Sequence, residues 1–272
     1  MCVPSFIEGC GKTPIAPHLE AEDRIIGGSE AIPGSWPWQV AIHTSGHVCG
    51  GALITDQHVL TAAHCTLTRP VMDVRVHLGS HTRTSEDDGE IWVPVEEVCT
   101  HPNYRVYEVM HWINDIAIIK LSKKVNFTDK IQPVCLPPDL EELSHSSEMY
   151  VTGWGLTGGD AGKSLKLKQL RTLSYTNELC SAEFLVTVPQ VILCGGHHEG
   201  SSCYGDSGGP VVHLENGTWT IQGIVSGGPI GCGDDDEALY FTKVSHYVKN
   251  LIAPYIDGTL PRSSIRRICD IA

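Results

Sequence analysis

The chain has 272 residues, with 19 Lys or Arg against 32 Asp or Glu, for a net charge of −13. A hydrophobic share of 41% with 28 glycines and 16 prolines excludes a disordered tail, a collagen and a coiled coil, and the length suits one large domain or two small ones. So acidic a balance would be repelled by phosphates, which argues against nucleic acid, and no run approaches the roughly 18 apolar residues of a membrane span.

Residues 1–24 differ from the rest. They hold three prolines, two cysteines and the acidic stretch Glu20–Asp23 ending in Arg24, with neither strand alternation nor helical repeat, and read as a propeptide or linker. Met1–Lys12 contain no apolar core of signal-peptide length, so an upstream start or a truncated chain is expected. From Ile25 onward short β-rich runs recur between turn residues: Trp38–Ile42, Gly51–Ile54, Val74–Leu78, Ile91–Val95, Ile116–Leu121, Tyr150–Thr152, Pro210–Leu214, Thr218–Val225 and Leu239–Val244. Many short strands with Gly and Pro punctuation predict an all-β barrel or sandwich. One helix is legible, at about 245–257: Ser245 is its expected N-cap, Tyr247, Val248, Leu251 and Ile252 make its apolar stripe, and Pro254 should end or bend it. Residues 259–272 form an extension whose Arg262, Arg266 and Arg267 are basic against an acidic body. Gly158–Ser164 has the look of a phosphate-binding loop, but Thr157 stands where the pattern needs glycine, so a surface loop is expected.

Eleven cysteines without a single Cys-x-x-Cys spacing predict a disulfide set and an oxidising compartment in preference to a zinc site. Three segments carry chemistry. Thr61–Cys65 holds His64, Asn114–Leu121 holds Asp115 at the mouth of an apolar strand, and Gly205–Pro210 holds Ser207 in a glycine-rich turn. A serine hydroxyl is almost never ionised near neutrality. To attack a carbonyl it needs an imidazole to take its proton and a buried carboxylate to fix the imidazole tautomer, while a bent glycine-rich backbone can aim N–H groups at a developing oxyanion.

These segments, in the chain order His, Asp, Ser, together with Ile25–Gly28, Pro33–Gln39, Cys49–Gly51, Gly153–Gly155 and Cys203–Pro210, closely resemble the chymotrypsin-like serine peptidases over about residues 25–258. The resemblance implies two six-stranded antiparallel β-barrels packed together, the first over about 25–128 and the second over about 129–245, with the site in the cleft between them. It implies Ser207 as nucleophile, His64 as general base and then acid, Asp115 as the orienting carboxylate, and the N–H groups of Gly205 and Ser207 as the oxyanion hole. Ser226 would lie beside Asp115 and open the strand that pairs with substrate, followed by Gly227 and Gly228. Arg24–Ile25 resembles a zymogen cleavage site that calls for a trypsin-like activating protease, the new Ile25 ammonium then pairing with Asp206. Ser201, at the base of the implied pocket, offers no countercharge to a basic side chain, and Ala238 should shorten the pocket, so medium or large apolar residues are the expected substrates. Gly227 departs from the family's usual tryptophan, which keeps open a non-catalytic homologue acting as a binding protein; an elastase-like choice of small residues is the other alternative.

By the same resemblance the disulfides are Cys10–Cys135, Cys49–Cys65, Cys180–Cys194 and Cys203–Cys232, and a further family pair is missing at both ends, at Met149 and His213. Cys2, Cys99 and Cys269 are left over, and the extension is read as able to fold back so that Cys269 meets Cys99. Asn126 and Asn216 head glycan sequons. No cofactor and no resident metal is implied; His197–His198 and the run Asp234–Glu237 are expected as loop surface, and Glu86, Asp87, Asp88 and Glu90 as at most a weak calcium loop. The expected protein is thus a secreted serine endopeptidase made as a zymogen, whose partners are protein or peptide substrates, its activator and protein protease inhibitors.

Overall fold

The computed structural model describes residues 9–19, 28–67, 70–83, 87–106, 112–155, 163–185, 187–196, 206–227, 239–261 and 269–271. In the first half, strands β2 (Gln39–Thr44), β3 (His47–Leu53), β4 (His58–Thr61), β5 (Arg75–Leu78), β6 (Ile91–Thr100) and β9 (Ala117–Leu121) pair in the order β6-β5-β2-β3-β4-β9, and β6 closes on β9. In the second half, β10 (Glu148–Gly153), β11 (Lys168–Tyr175), β12 (Ile192–Gly196), β13 (Pro210–Glu215), β14 (Thr218–Gly227) and β15 (Leu239–Lys243) pair as β11-β10-β13-β14-β15-β12, and β11 closes on β12. The result is two closed six-stranded antiparallel barrels, as expected. Closure removes the sheet edges, so strands this short need no covering layer of helices. Each barrel has one further strand outside it: β1 (Ser29–Glu30) on β11 and β16 (Cys269–Ile271) on β6.

Alternation drives the packing. Val93, Val95 and Val98 on β6 and Ile119 and Leu121 on β9 are buried inside the first barrel, and Met149, Val151, Val211, Val225 and Phe241 fill the second. At the junction an aromatic cluster spans both halves: the Trp36 ring meets Trp219 edge-on at 4.9 Å and lies 6.0 Å from Trp38 and 5.8 Å from Tyr150. Trp36 Nε1 donates to Gln169 Oε1 across 2.9 Å.

Residues 9–19 lie along the second barrel without strand structure. Cys10 is bonded to Cys135, the Gly11 N–H donates to the Pro133 carbonyl, the Trp219 N–H donates back to Gly11, and Gln169 Nε2 donates to the His18 carbonyl. Cys49–Cys65 and Cys180–Cys194 are also formed, whereas Cys2, Cys203 and Cys232 lie outside the described residues. Cys99 is bonded to Cys269. The bond fixes β16 antiparallel to β6, with Cys269 opposite Cys99 and Ile271 opposite Glu97. Because β5 pairs only with Ile91–Pro94, β16 takes the stretch of β6 edge that β5 leaves open. Met149 is fully buried, and the His213 ring donates through Nδ1 to the Glu148 carbonyl.

Two expectations need correction. Ser245 is not an N-cap; it lies within the first helical turn and donates to the Glu141 carbonyl. The terminal helix runs as a 3-10 turn (Val244–Tyr247), a π turn (Val248–Ile252) and an α turn (Ala253–Ile256), so the wider π turn ends two residues before Pro254, which has no N–H to give. A second helix, α2 (Asn177–Phe184), also exists, capped by Thr176 accepting from the Leu179 N–H. It lacks an apolar stripe, and so periodicity missed it.

Two half-buried histidines are held neutral. Burial pushes His58 and His101 down to about 4 from 6.5. Thr55 Oγ1 accepts from the Gln57 and His58 N–H groups, so its own proton goes to His58 Nδ1 at 2.7 Å. Below pH ~6.5 the unfolded chain takes up protons that these folded rings refuse, so their contribution is present above that pH and is lost as pH falls towards 4. The urea midpoint is therefore expected to drop over this window, and less steeply in the double variant His58→Gln/His101→Gln. Separately, Cys99→Ser/Cys269→Ser opens a loop of 170 residues and is expected to cost about 2–4 kcal/mol in urea unfolding.

Candidate active site

His64 lies on the single-turn helix Ala63–Thr66 that follows β4, Asp115 immediately precedes β9, and Ser207 immediately precedes β13, so three strand ends of two barrels supply the three side chains. Asp115 is fully buried. Its Oδ1 accepts the His64 backbone N–H at 2.9 Å, and its Oδ2 accepts both His64 Nδ1–H at 2.7 Å and the Ser226 hydroxyl at 2.6 Å. Its backbone carbonyl accepts Thr242 Oγ1 at 2.9 Å. A buried carboxylate is tolerated only when its lone pairs are met by donors. Here the donors come from the first barrel (His64) and the second (Ser226, Thr242), so the satisfied charge is also a clamp between the barrels. Because Asp115 accepts, the His64 proton sits on Nδ1, and Nε2 is the unprotonated ring nitrogen. Burial and the Asp115 charge push the Tyr104 phenol up to about 12 and raise Tyr247 as well, so both stay protonated around that carboxylate.

The serine turn is docked on the first barrel. The Ser207 carbonyl accepts the Gly50 N–H at 2.8 Å. The Cys65 sulfur lies 3.6 Å from that carbonyl and 3.7 Å from His64 Nε2, so the Ser207 backbone and the His64 ring flank the same disulfide. The turn closes on itself through Gly209 N–H to the Asp206 carbonyl (2.8 Å) and on β14 through Gly208 N–H to the Val225 carbonyl (2.8 Å). Gly208 has φ +80°, and a Cβ there would stand 2.3 Å from Thr61 Oγ1 and 2.5 Å from the Gly50 carbonyl. Only glycine allows this approach. Gly50 and Thr61 are seam residues whose individual parts motif reading did not assign, although both sit inside quoted motifs.

Asp206 turns away from Ser207. Its Oδ1 accepts the Gly155 N–H at 2.7 Å, and Cβ atoms on Gly153 or Gly155 would strike its carboxylate at 2.0 and 2.1 Å, so two glycines form its cradle. Ser226 and Gly227 close β14 beside Asp115. The expected roles of Gly205, Ser201, Gly228, Ala238, Arg24 and Ile25 fall on positions outside the described residues, as do His197–His198 and Asp234–Glu237. Asp87 Oδ2 accepts the His81 N–H at 2.8 Å and the Thr82 N–H at 2.5 Å, so its own loop already uses that carboxylate.

A two-barrel fold with a His–carboxylate pair and a glycine-bent serine turn meeting at its seam defines a class, and the chain belongs to it: residues 25–251 match the family model described as Trypsin, and the chain is a member of that family. It is 38% identical to mouse chymotrypsin-C over 250 residues, covering 88% of this chain and 91% of the relative. Bovine chymotrypsin-C is 38% identical over 257 residues (90% and 92%), and rat chymotrypsin-C 37% over 249 (88% and 90%). The chain is a chymotrypsin-like serine endopeptidase acting on protein substrates.

Gly208→Ala tests the seam. The added methyl must push the serine turn off Gly50 and Thr61, and a shift of about 1 Å at a catalytic group costs on the order of 10²-fold. A fall of that size in kcat/KM is expected, with a lowered Tm.

Proposed function

We propose that this endopeptidase is secreted as a zymogen, is cut at Arg24–Ile25 by a trypsin-like protease, and then cleaves polypeptides after medium to large apolar residues. The observation that carries the reading is the buried Asp115 carboxylate accepting His64 Nδ1–H while the Ser207 turn is bonded to Gly50 of the same barrel. Ser207 Oγ attacks the scissile carbonyl as His64 Nε2 takes its proton, and Asp115 holds the resulting imidazolium. The Gly205 and Ser207 N–H groups stabilise the oxyanion. The C–N bond breaks as His64 protonates the leaving amine, and water enters by the same route in reverse to release the acyl group from Ser207. Substrate pairs with the strand end at Ser226, Gly227 and Gly228, its side chain before the cut bond entering a pocket based on Ser201 and shortened by Ala238.

Activation has its own support. Gln169 holds both flanks of the Arg24 segment, since its amide donates to the His18 carbonyl and its backbone pairs with Ser29. The glycines at 153 and 155 leave room for the Asp206 carboxylate, the proposed partner of the Ile25 ammonium, and Cys10–Cys135 would keep the cut segment attached. Four described disulfides favour an oxidising, extracellular setting. Asn126 and Asn216 are exposed, the latter on a two-residue Asn-Gly hairpin turn, and both are proposed as glycan sites. Protein inhibitors that mimic an extended substrate would bind the same cleft.

The test is an active-site phosphonate probe applied after cleavage at Arg24. Label on Ser207, absent from Ser207→Ala and weak before cleavage, is expected; no label on the cleaved protein would defeat the proposal. In a peptide library, cleavage after Phe or Leu is expected to exceed cleavage after Arg or Ala, and a preference for Arg would overturn the pocket argument.

A further inference from the structure

Asp115 sits at the centre of a tight turn, and the residue before it sets where that turn points. The Ile116 N–H donates to the Asn114 carbonyl at 2.9 Å, which closes a three-residue turn around Asp115. Asn114 has φ +57°, in the left-handed region that an L residue keeps only where its surroundings hold it. Two side-chain bonds do so. Asn114 Nδ2 donates to the Asn103 carbonyl at 2.9 Å, and Asn114 Oδ1 lies 2.9 Å from Tyr247 Oη. The Asn103 carbonyl can only accept, so the amide NH2 faces it and Oδ1 faces the phenol, which must then donate. Burial, with the Asp115 charge second, raises the Tyr247 phenol and keeps it a donor. Tyr247 is 3% exposed and ends the 3-10 turn that follows β15; its ring meets His101 edge-on at 5.4 Å and His246 at 5.5 Å. Thr242 on β15 donates to the Asp115 carbonyl. One stretch of chain, from β15 into the terminal helix, thus grips Asp115 at its carbonyl and, through Asn114, at the residue before it.

We propose that Tyr247 and Asn114 are positioning residues for the reaction: the Tyr247 hydroxyl holds the left-handed turn at Asn114 and thereby aims the Asp115 carboxylate at His64 Nδ1. The proposal rests on the Ser207 peptidase reading and extends it to the terminal helix. Neither side chain reaches the reacting atoms, and both act through Asp115. The bonds from Asp115 Oδ2 to His64 Nδ1 (2.7 Å) and to Ser226 Oγ (2.6 Å) are short and charge-assisted, and such bonds weaken steeply as their angle opens. Without the hydroxyl, Asn114 keeps one side-chain bond of two, its turn relaxes towards ordinary backbone, and the carboxylate turns with it. The imidazolium formed when Ser207 gives up its proton is then held less well, while the surface that takes the peptide is unchanged. Loss of the hydroxyl therefore slows the chemical step and spares binding.

The experiment uses Arg24-cleaved protein, with active sites counted by burst titration, kcat and KM measured on one peptide, and the His64 Nδ1 proton followed by NMR. Tyr247→Phe keeps the ring and its packing and removes only the hydroxyl. It is expected to lower kcat about tenfold with KM little changed, and to move the His64 Nδ1 proton resonance upfield. Asn114→Gly can keep the positive φ but lacks both side-chain bonds; the same changes are expected, and adding Tyr247→Phe to it is expected to change nothing further. Tyr255→Phe is the control for a loosened helix, because it removes a hydroxyl of the same helix that donates to Glu97 instead. A lower Tm is expected there, with the kcat and the His64 resonance of the parent. An unchanged kcat and resonance in Tyr247→Phe, a further loss in the double variant, or the same changes in Tyr255→Phe overturns the proposal while the peptidase reading stands. An activated parent with no burst overturns the peptidase reading itself.

Discussion

The structure turns on one buried charge. Asp115 has no solvent contact, and its carboxylate is tolerable only because His64 and Ser226 direct N–H and O–H groups at it from opposite barrels. Removing the donors of either barrel would leave an ion in a low-dielectric seam with its remaining lone pairs unmet. The same bonds that pay for burying Asp115 fix the face of the His64 ring, the register of β14 at Ser226 and the relation of the two barrels. Placement of the Ser207 turn follows from that relation. Ser207 belongs to the second barrel, yet its carbonyl is bonded to Gly50 of the first. On the proposed reading, catalytic geometry and interdomain geometry are one constraint.

Segments at both ends of the described chain reinforce it. Residues 9–19 are strapped to the second barrel through Cys10, Gly11 and His18, and the extension is bonded to the first through Cys99 and Cys269. β16 also occupies an edge of β6 that would otherwise present unpaired N–H and C=O groups, and those are the usual template for unwanted strand pairing. The Tyr255 hydroxyl donates to Glu97, so the terminal helix, β6 and β16 meet around one carboxylate.

Much of this was legible in the sequence because it rests on local patterns. The β-rich runs Ile116–Leu121 and Thr218–Val225 located two central strands, and glycines around Ser207 marked a turn only glycine can make. Lys168–Tyr175 escaped notice because polar residues interrupt its apolar pattern: Gln169, Thr172 and Ser174 are all buried, paired through hydrogen bonds instead of being excluded from the core. Ile192–Gly196 escaped it because its five residues end in two glycines and are all buried, which leaves no alternation to read. The π turn ahead of Pro254 was invisible for another reason, since apolar spacing marks a helix but not the pitch of its hydrogen bonds. At Gly227 the sequence shows only a missing side chain; the partner strand places Tyr240 beside it, and pairing across a barrel cannot be read from one segment.

The most direct measurement of the central constraint is the tautomer of His64. Nitrogen-15 NMR of protein labelled at histidine, with His64 assigned by comparison with His64→Gln, distinguishes a protonated Nδ1 from a protonated Nε2. The account requires the proton on Nδ1, with a far-downfield resonance that disappears in Asp115→Ala. A His64 ring protonated on Nε2 with Nδ1 bare, or a resonance indifferent to Asp115, would contradict it.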